Sequence, residues 1–268
     1  MGNSYDALAV QAVIRAAERS RSPAIISLFP WAMHFHGPHF VTYAVAAAHA
    51  AAVPIAVHLD HCSLAADAAR ALALPTTFDS IMVDGEIEYV RDVVVRACAR
   101  GVTVEAELGR VGGAEDGVPA ADGVLTDPAA ARAFVEQTGV HYLAPSFGNV
   151  HGCQYGPGGP EGSWQLSRVA DIRRALLEAT GTAGGGRAAV PLVLHGTSPA
   201  GDTLIRSAIA GGMRKVNVNR MVREGYMQFL INNVAVLPPT RLQEEGLEVY
   251  ARDVERLMRE VLGSAGRA

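Results

Sequence analysis

The sequence has no large excess of charge, few cysteines and no long apolar run, and each absence narrows the class of protein. The formal net charge is -4 over 268 residues, and no basic block occurs, so nucleic-acid binding has no electrostatic basis. No apolar stretch reaches the ~18 residues of a membrane-spanning helix, and the N-terminus lacks the layout of a signal peptide. The three cysteines are too scattered for a disulfide framework or a cysteine-based zinc site. We therefore expect a cytoplasmic protein with no membrane partner and no nucleic-acid partner.

The pattern of apolar residues predicts one large α/β domain. Hydrophobic residues make up 49% of the chain, which is enough for a single core spanning residues 1–268. Short strand-like runs alternate with segments of helical spacing, and this alternation is typical of a parallel sheet covered by helices. The predicted strands occupy residues 23–29, 53–59, 80–84, 102–108, 142–147, 190–194 and 215–218.

The number of predicted strands is one short of a closed barrel. Seven strands are visible, whereas a TIM (β/α)8 barrel has eight, so the first strand must lie within residues 1–4. We therefore predict a TIM barrel whose strand 1 is short, or truncated at the N-terminus. The alternative, an open doubly wound sheet, requires a glycine-rich phosphate loop after an early strand, and the sequence contains none.

Titratable side chains collect where the predicted strands end. The strand at 53–59 runs into His58-Leu59-Asp60-His61, and the C-terminal ends of barrel strands are where barrel enzymes place their chemistry. Since these ends share one rim, we expect convergence there of His61, His151, His195, Asp84 and Glu107. Three imidazoles with an open fourth position suit a catalytic Zn²⁺, and the two carboxylates are oxygen ligands that can help to hold the ion.

Four further histidines are assigned to other places. His34, His36 and His39 follow Pro30 and are predicted to lie in a loop. The pair His34-Phe35-His36 resembles the His-x-His ligands of amidohydrolase-type enzymes, but those enzymes need an aspartate where Asn219 stands. His58 is expected to support the site from behind the rim.

Seven motifs, which cover nearly the whole chain, carry a resemblance to a known family. They are His-Leu-Asp-His at 58–61, Met-Val-Asp-Gly at 82–85, Val-Glu-Ala-Glu-Leu-Gly at 104–109, Gly-Gly-Ala-Glu-Asp-Gly at 112–117, Phe-Gly-Asn-Val-His-Gly at 147–152, Leu-His-Gly-Thr-Ser at 194–198 and Lys-Val-Asn-Val at 215–218. With these motifs the chain resembles the class II, zinc-dependent fructose-bisphosphate and tagatose-bisphosphate aldolases. The resemblance implies a metal-dependent carbon–carbon lyase that forms a homo-oligomer, either a dimer or a tetramer.

The resemblance also implies a role for each matching residue. The implied Zn²⁺ ligands are His61, His151 and His195, with an alternative metal position at Asp84 and Glu107. The implied acid/base is Asp60, and Glu115 matches a residue that transfers a proton at the enediolate carbon. The implied substrate and phosphate contacts are Gly152, Gly196, Ser198 and Asn217.

The phosphate site departs from the family pattern. The lysine usual shortly after Gly152 is missing, and Asn219-Arg220 stands where a small polar pair usually follows Asn217. Arg220, with Asn219 beside it, can replace the lost charge from another strand with bidentate geometry. Alternatively, the head group of the substrate is not the usual phosphate.

The expected function is reversible, zinc-dependent aldol cleavage of a ketose (bis)phosphate such as fructose 1,6-bisphosphate, as in glycolysis and carbohydrate metabolism. The products are dihydroxyacetone phosphate and an aldehyde. One alternative is a similar enzyme that acts on a different, non-bisphosphate ketol, and another is a catalytically silent barrel that binds sugar phosphates. A Schiff-base aldolase would need a lysine on a barrel strand, and the only lysine is Lys215.

Overall fold

Eight parallel strands form the central sheet of the protein. The computed structural model describes residues 2–115, 118–152, 155–182 and 189–268. Within these ranges the strands are β1 (Gly2–Asn3), β2 (Ala24–Leu28), β3 (Ile55–Cys62), β4 (Ser80–Val83), β5 (Thr103–Leu108), β6 (Gly112–Glu115), β7 (Val118–Ala121), β8 (Tyr142–Pro145), β9 (Val150–His151), β10 (Leu192–Leu194) and β11 (Met213–Val216). The central sheet has the order β1-β2-β3-β4-β5-β8-β10-β11, and β6, β7 and β9 form a separate three-stranded sheet.

The first strand has only two residues, and it closes the barrel. Gly2 and Asn3 pair in parallel with β2. On the other side Gly2 forms a parallel bridge with Val218, just after β11, and the Asn3 N–H donates to the Val218 carbonyl at 3.1 Å. The predicted TIM barrel with a short first strand is therefore confirmed, and the open doubly wound sheet was the wrong alternative.

Helices cover the outside of the barrel. They are α1 (Ala7–Ser20), α2 (Pro30–Phe35), α3 (Pro38–His49), α4 (Ala65–Ala73), α5 (Ile87–Cys98), α6 (Pro128–Thr138), α7 (Gly159–Ser163), α8 (Leu166–Thr182), α9 (Asp202–Gly211), α10 (Arg220–Asn233) and α11 (Pro239–Arg256), followed by a π-helical turn at Leu257–Val261. Among the described residues, no helix combines the length and the apolar character that a bilayer-spanning segment needs.

Helices from the two ends of the chain pack against each other. α1 begins after Asp6, whose carboxylate accepts a hydrogen bond from the Ala9 N–H at 2.8 Å, as is usual for an N-cap. Arg19 of α1 donates to Glu248 of α11 at 2.8 Å. The buried Tyr250 of α11 donates to the Asn3 carbonyl of β1 at 3.2 Å. The last long helix therefore helps to hold the two-residue first strand in place.

The prediction of a loop around the second histidine cluster was wrong. His34 lies in α2, His36 follows the last residue of α2, and His39 lies in α3. Pro30 occupies the first turn of α2, where a missing N–H costs no hydrogen bond, so it begins this helix. His34 Nε2 lies 2.7 Å from Asp67 Oδ1 on α4, and the cluster therefore connects helices.

Two strand ends also differ from the prediction. The glycine-rich stretch after β5 contains β6, which pairs antiparallel with β7 and parallel with β9. The last strand, predicted to reach residue 218, stops at Val216. Asn219 is the N-cap of α10, and Arg220 is the first residue of this helix. The reason is that the residues after Asn219 favour a helix. Arg220 therefore acts from a helix N-terminus and not, as predicted, from a strand.

Candidate active site

Three buried imidazoles converge at the C-terminal rim of the barrel. His61 lies near the end of β3, His151 lies in β9, and His195 directly follows β10. One ring nitrogen of each lies within 4.8 Å of the others. The ring centroids are 4.9 to 5.7 Å apart. An all-nitrogen donor set in this spacing can hold a divalent metal ion, and it is typical of zinc.

Local backbone geometry places His61 in this group. The pairing of β3 with β4 shifts register between Leu59 and Cys62. His61 itself has φ +54°, a left-handed conformation that costs a non-glycine residue about 1 kcal/mol or more. Such irregularities at a barrel rim turn a side chain to a new direction. The strain is therefore consistent with a functional position.

Two carboxylates lie beside the histidines, as the sequence predicted. Asp84 Oδ2 is 3.7 Å from His61 Nδ1, while its buried Oδ1 has no hydrogen-bond partner among the described residues. Glu107 accepts a hydrogen bond from the Val111 N–H at 2.9 Å. Both carboxylates line one cavity with His61. A bound cation would satisfy the unpartnered oxygen, so these residues fit the predicted alternative metal position.

The pKa of Glu107 makes the stability of the metal-free protein sensitive to pH. Burial and the nearby negative charge of Asp84 raise this pKa to about 7, so the folded protein holds an extra proton between pH 4.5 and 7. The unfolding free energy therefore has its full value at low pH, and it falls as the pH rises through 7 and the folded protein loses this proton. Glutamine does not titrate, so E107Q lacks this loss. We expect the unfolding free energy of E107Q minus that of the wild type to rise by about 3 kcal/mol between pH 4.5 and pH 8.

Urea unfolding of chelator-treated protein at several pH values measures this difference. The matched control is E136Q, which removes a carboxylate from the exposed face of α6 and is expected to stay within about 0.5 kcal/mol of the wild type. A gap between E107Q and the wild type that does not change with pH would contradict the assignment.

Asp60 occupies the barrel interior next to the histidines and is only 1% exposed. The Asn217 side-chain amide lies 3.3 Å from both of its oxygens, and the Ser27 hydroxyl donates to Oδ2 at 3.2 Å. Burial opposes ionisation, but the neighbouring His61 and His58 more than offset it and lower the pKa of Asp60 well below its usual range. An ionised carboxylate in this position can accept a proton from a substrate.

A second cavity of about 230 Å³ adjoins the histidines. It is lined by Ala114, His151, Gly152, Gly196, Thr197, Ser198, Asn217, Asn219, Arg220 and Arg223. All six predicted substrate contacts therefore lie together around one space. The N-terminus of α10 borders this space, and helix N-termini with arginines are suited to anions.

Arg223 was not predicted and contributes a second guanidinium to this cavity. Its Nε donates to Asn219 Oδ1 at 3.0 Å, and its Cζ lies 5.4 Å from the centre of the Tyr5 ring. The Tyr5 hydroxyl is also 2.9 Å from Asn219 Nδ2. Sequence could have indicated it, because Arg220 and Arg223 are three residues apart and share a helix face.

Glu115 cannot be placed against the site in the same way. It is the last residue of β6, but its side chain lies outside the part of the chain that the structure describes. The backbone of this strand does reach the site, because Gly113 pairs with His151 in the small sheet.

The fold and the site together define a class of protein. An eight-stranded α/β barrel carries a candidate metal centre at its C-terminal rim, with a buried ionised carboxylate and a cationic cavity beside it. This combination is typical of barrel enzymes that act on small anionic substrates.

Comparisons with known proteins narrow this class to one family. The model of the family described as "Fructose-bisphosphate aldolase class-II" matches residues 2–267. A fructose-bisphosphate aldolase of Thermus caldophilus is 33% identical in an alignment of 293 positions, gaps included, that covers 96% of this chain and 90% of the relative. The chain therefore belongs to the class II fructose-bisphosphate aldolase family, a family of lyases, and the prediction from the motifs is confirmed.

Solved structures agree with this assignment. The crystal structure of a candidate fructose-1,6-bisphosphate aldolase from Coccidioides immitis superposes with a TM-score of 0.89 at 39% identity, covering 99% of this chain and 91% of that chain. The YdjI aldolase from Escherichia coli K12 gives a TM-score of 0.79 at 28% identity, covering 100% and 92%.

Proposed function

We propose that the protein catalyses the reversible, Zn²⁺-dependent aldol cleavage of a ketose (bis)phosphate such as fructose 1,6-bisphosphate. The products are dihydroxyacetone phosphate and an aldehyde. The observation that carries the proposal is that Asn217 and His151 border the cationic cavity, while Asn217 also contacts Asp60 and His151 also belongs to the histidine trio. A phosphate in the cavity would therefore place the sugar chain beside both the proton acceptor and the metal ligands.

The side chains divide the work of the reaction. His61, His151 and His195 would hold the ion, with Asp84 and Glu107 available as further ligands. When bound, the ion supplies Lewis acidity that stabilises the negative charge developing on substrate oxygens. Asp60 takes the proton of the hydroxyl group on the carbon that becomes the aldehyde, as the bond between this carbon and its neighbour breaks. Glu115 then supplies a proton to the carbon left behind, which completes the ketone product.

The cationic cavity holds the phosphate in this proposal. Gly152 and Gly196 contribute backbone groups, and Ser198 contributes a short side chain. Position 196 has no room for a side chain. A Cβ atom there would lie 2.6 Å from the Val150 carbonyl oxygen. Arg220 and Arg223 stand in for the missing lysine.

The phosphate subsite is tested by the substitutions R220Q and R223Q. A charge-assisted hydrogen bond contributes about 1.5–3 kcal/mol, so we expect each substitution to raise KM for a phosphorylated ketose by about 10–100-fold. The kcat/KM for an unphosphorylated ketol is expected to be unchanged. The matched control is R241Q on the exposed face of α11, which should leave both substrates unaffected. An equal loss of kcat/KM for both substrates would show that the arginines do not bind the phosphate.

A screen over ketose mono- and bisphosphates and unphosphorylated ketols, with aldehyde and ketone products measured, tests the substrate class. Preference for an unphosphorylated ketol would favour a similar enzyme with a different substrate. Binding of sugar phosphates without cleavage would favour a catalytically silent barrel. The buried, ionised Asp60 argues against the silent barrel, since binding alone does not need it.

Four further features belong to the same proposal. Residues 1–268 form a single aldolase-type domain, which is supported by the contacts of α1 and β1 with α11. The protein works in the cytoplasm and takes part in carbohydrate metabolism such as glycolysis. It binds neither nucleic acid nor membrane, which agrees with its net charge of -4. It forms a homo-oligomer, either a dimer or a tetramer.

A further inference from the structure

A buried ion pair lies directly beneath the histidine trio. Lys215 Nζ is 2.5 Å from Glu105 Oε2, and the other oxygen of this carboxylate, Oε1, is 2.9 Å from His195 Nε2. Glu105 is 0% exposed and Lys215 is 7% exposed. Lys215 is also the only lysine of the chain. Neither residue of the pair takes part in the roles proposed above.

A buried ion pair is in general a weak source of stability. Moving two charges out of water costs several kcal/mol per ion, and well-packed apolar residues are often as stable or more stable. A small apolar cluster is already present on the neighbouring strands, formed by Met82, Ala144 and Val193. The contact of Glu105 with His195 therefore explains the ion pair better than a contribution to stability does.

The geometry defines the state of the His195 ring. The carboxylate of Glu105 can only accept, so Nε2 carries the proton that it donates to Oε1 at 2.9 Å. The Asn217 amide nitrogen, which lies 3.0 Å from the same Nε2, then donates to Asp60. The other nitrogen, Nδ1, is then left as the atom that can bind a metal. Histidine ligands usually donate their second N–H to a carboxylate or a carbonyl, and this bond fixes the orientation of the ring.

Lys215 in turn restrains the carboxylate. Its ammonium group lies between Glu105 Oε2 and His58 Nε2, which is 3.4 Å away. His58 is itself held by Ser80, whose hydroxyl oxygen is 2.6 Å from His58 Nδ1. The chain of contacts thus runs from β4 through β3 and β11 to β5 and ends on His195.

We propose that Glu105 and Lys215 are positioning residues for the metal ligand His195. Glu105 fixes the protonated nitrogen and the plane of the ring, and Lys215 holds Glu105 in the orientation that this requires. The proposal rests on the proposed metal site, but it concerns residues that would touch neither the ion nor the substrate.

Metal affinity, measured by competition of Zn²⁺ with a chromophoric chelator, tests the proposal without using activity. We expect E105Q and K215M each to weaken Zn²⁺ binding by about 10–100-fold, as is typical for partners of metal ligands. The double variant E105Q/K215M removes both charges at nearly constant volume, so it should fold even if a single variant does not. It is expected to show the same weakened affinity.

The control variant is D67N, which alters a buried carboxylate whose partner is His34 on α2 and not a histidine of the trio. It should bind Zn²⁺ like the wild type. A second readout is the visible spectrum of the Co²⁺-loaded protein, which should change in E105Q/K215M and not in D67N.

The outcomes separate this inference from the proposed function. If E105Q/K215M binds Zn²⁺ with wild-type affinity and gives the wild-type Co²⁺ spectrum, the positioning role is wrong and the metal site stands. If the wild type binds no Zn²⁺ and shows no Co²⁺ spectrum, the proposed metal-dependent function is wrong, and the positioning role is overturned with it. Weakened binding in the double variant with unchanged binding in D67N supports both.

Discussion

The substitution D60N is expected to lower kcat for ketose cleavage by about 10²–10⁴-fold, the usual contribution of a positioned acid or base. The asparagine side chain has the same shape but cannot accept the hydroxyl proton. In the wild type, the low pKa of Asp60 keeps its carboxylate ionised. Steady-state kinetics together with metal analysis measures the effect, because the metal content is expected to be unchanged.

Two controls accompany this substitution. S27A removes a hydrogen bond to the same carboxylate and leaves the proton acceptor in place, so its kcat should fall by much less than that of D60N. Retention of wild-type turnover by D60N would remove Asp60 from its role. Loss of bound metal in D60N would instead show that the residue serves the metal site.

Removal of the metal is expected to abolish cleavage, and addition of Zn²⁺ is expected to restore it. Lewis-acid stabilisation of developing charge contributes several kcal/mol, which corresponds to a loss on the order of 10³-fold or more. H151A should show the same loss without a chelator, because it removes one of the three nitrogen donors. Activity assays before and after dialysis against a chelator, with metal analysis of each sample, measure both effects.

The Schiff-base mechanism predicts the opposite results. It requires a neutral amine, and the only lysine is held as an ion pair by Glu105 at 2.5 Å inside the barrel. Borohydride treatment in the presence of substrate is therefore expected to leave the mass of the protein unchanged. Full activity after metal removal, with a trapped adduct on Lys215, would contradict the metal-dependent mechanism.

Much of the fold could be predicted because barrel strands have a strong local signal. The apolar run at 53–59 corresponds to β3 and the run at 102–108 to β5. The second histidine cluster could not be predicted, because proline after a strand is compatible with both a loop and the first turn of a helix. The two residues of β1 carry no periodicity at all, and only the shortage of one strand pointed to them.

The position of the histidine trio could be predicted to a similar degree. Strand ends and motifs singled out His61, His151 and His195, and the structure places them within 4.8 Å of one another. The contact of Glu105 with His195 could not be predicted, because the sequence shows Glu105 only as one more carboxylate on β5. Arg223 was missed because Arg220 was assigned to a strand, and their spacing of three residues indicates a shared face only in a helix.

The sequence by itself determined the alternation of strands and helices, the residue types at the strand ends and the membership of an aldolase family. These depend on neighbours along the chain, on side-chain periodicity and on short motifs. Only the tertiary structure decided how the barrel closes, that Arg220 and Arg223 share one cavity, and that Lys215 and Glu105 lie beneath His195. These contacts join residues 3 and 218, or 105 and 215, and a spacing that long leaves no pattern in the sequence, because only the packing of the strands around the barrel brings the side chains together.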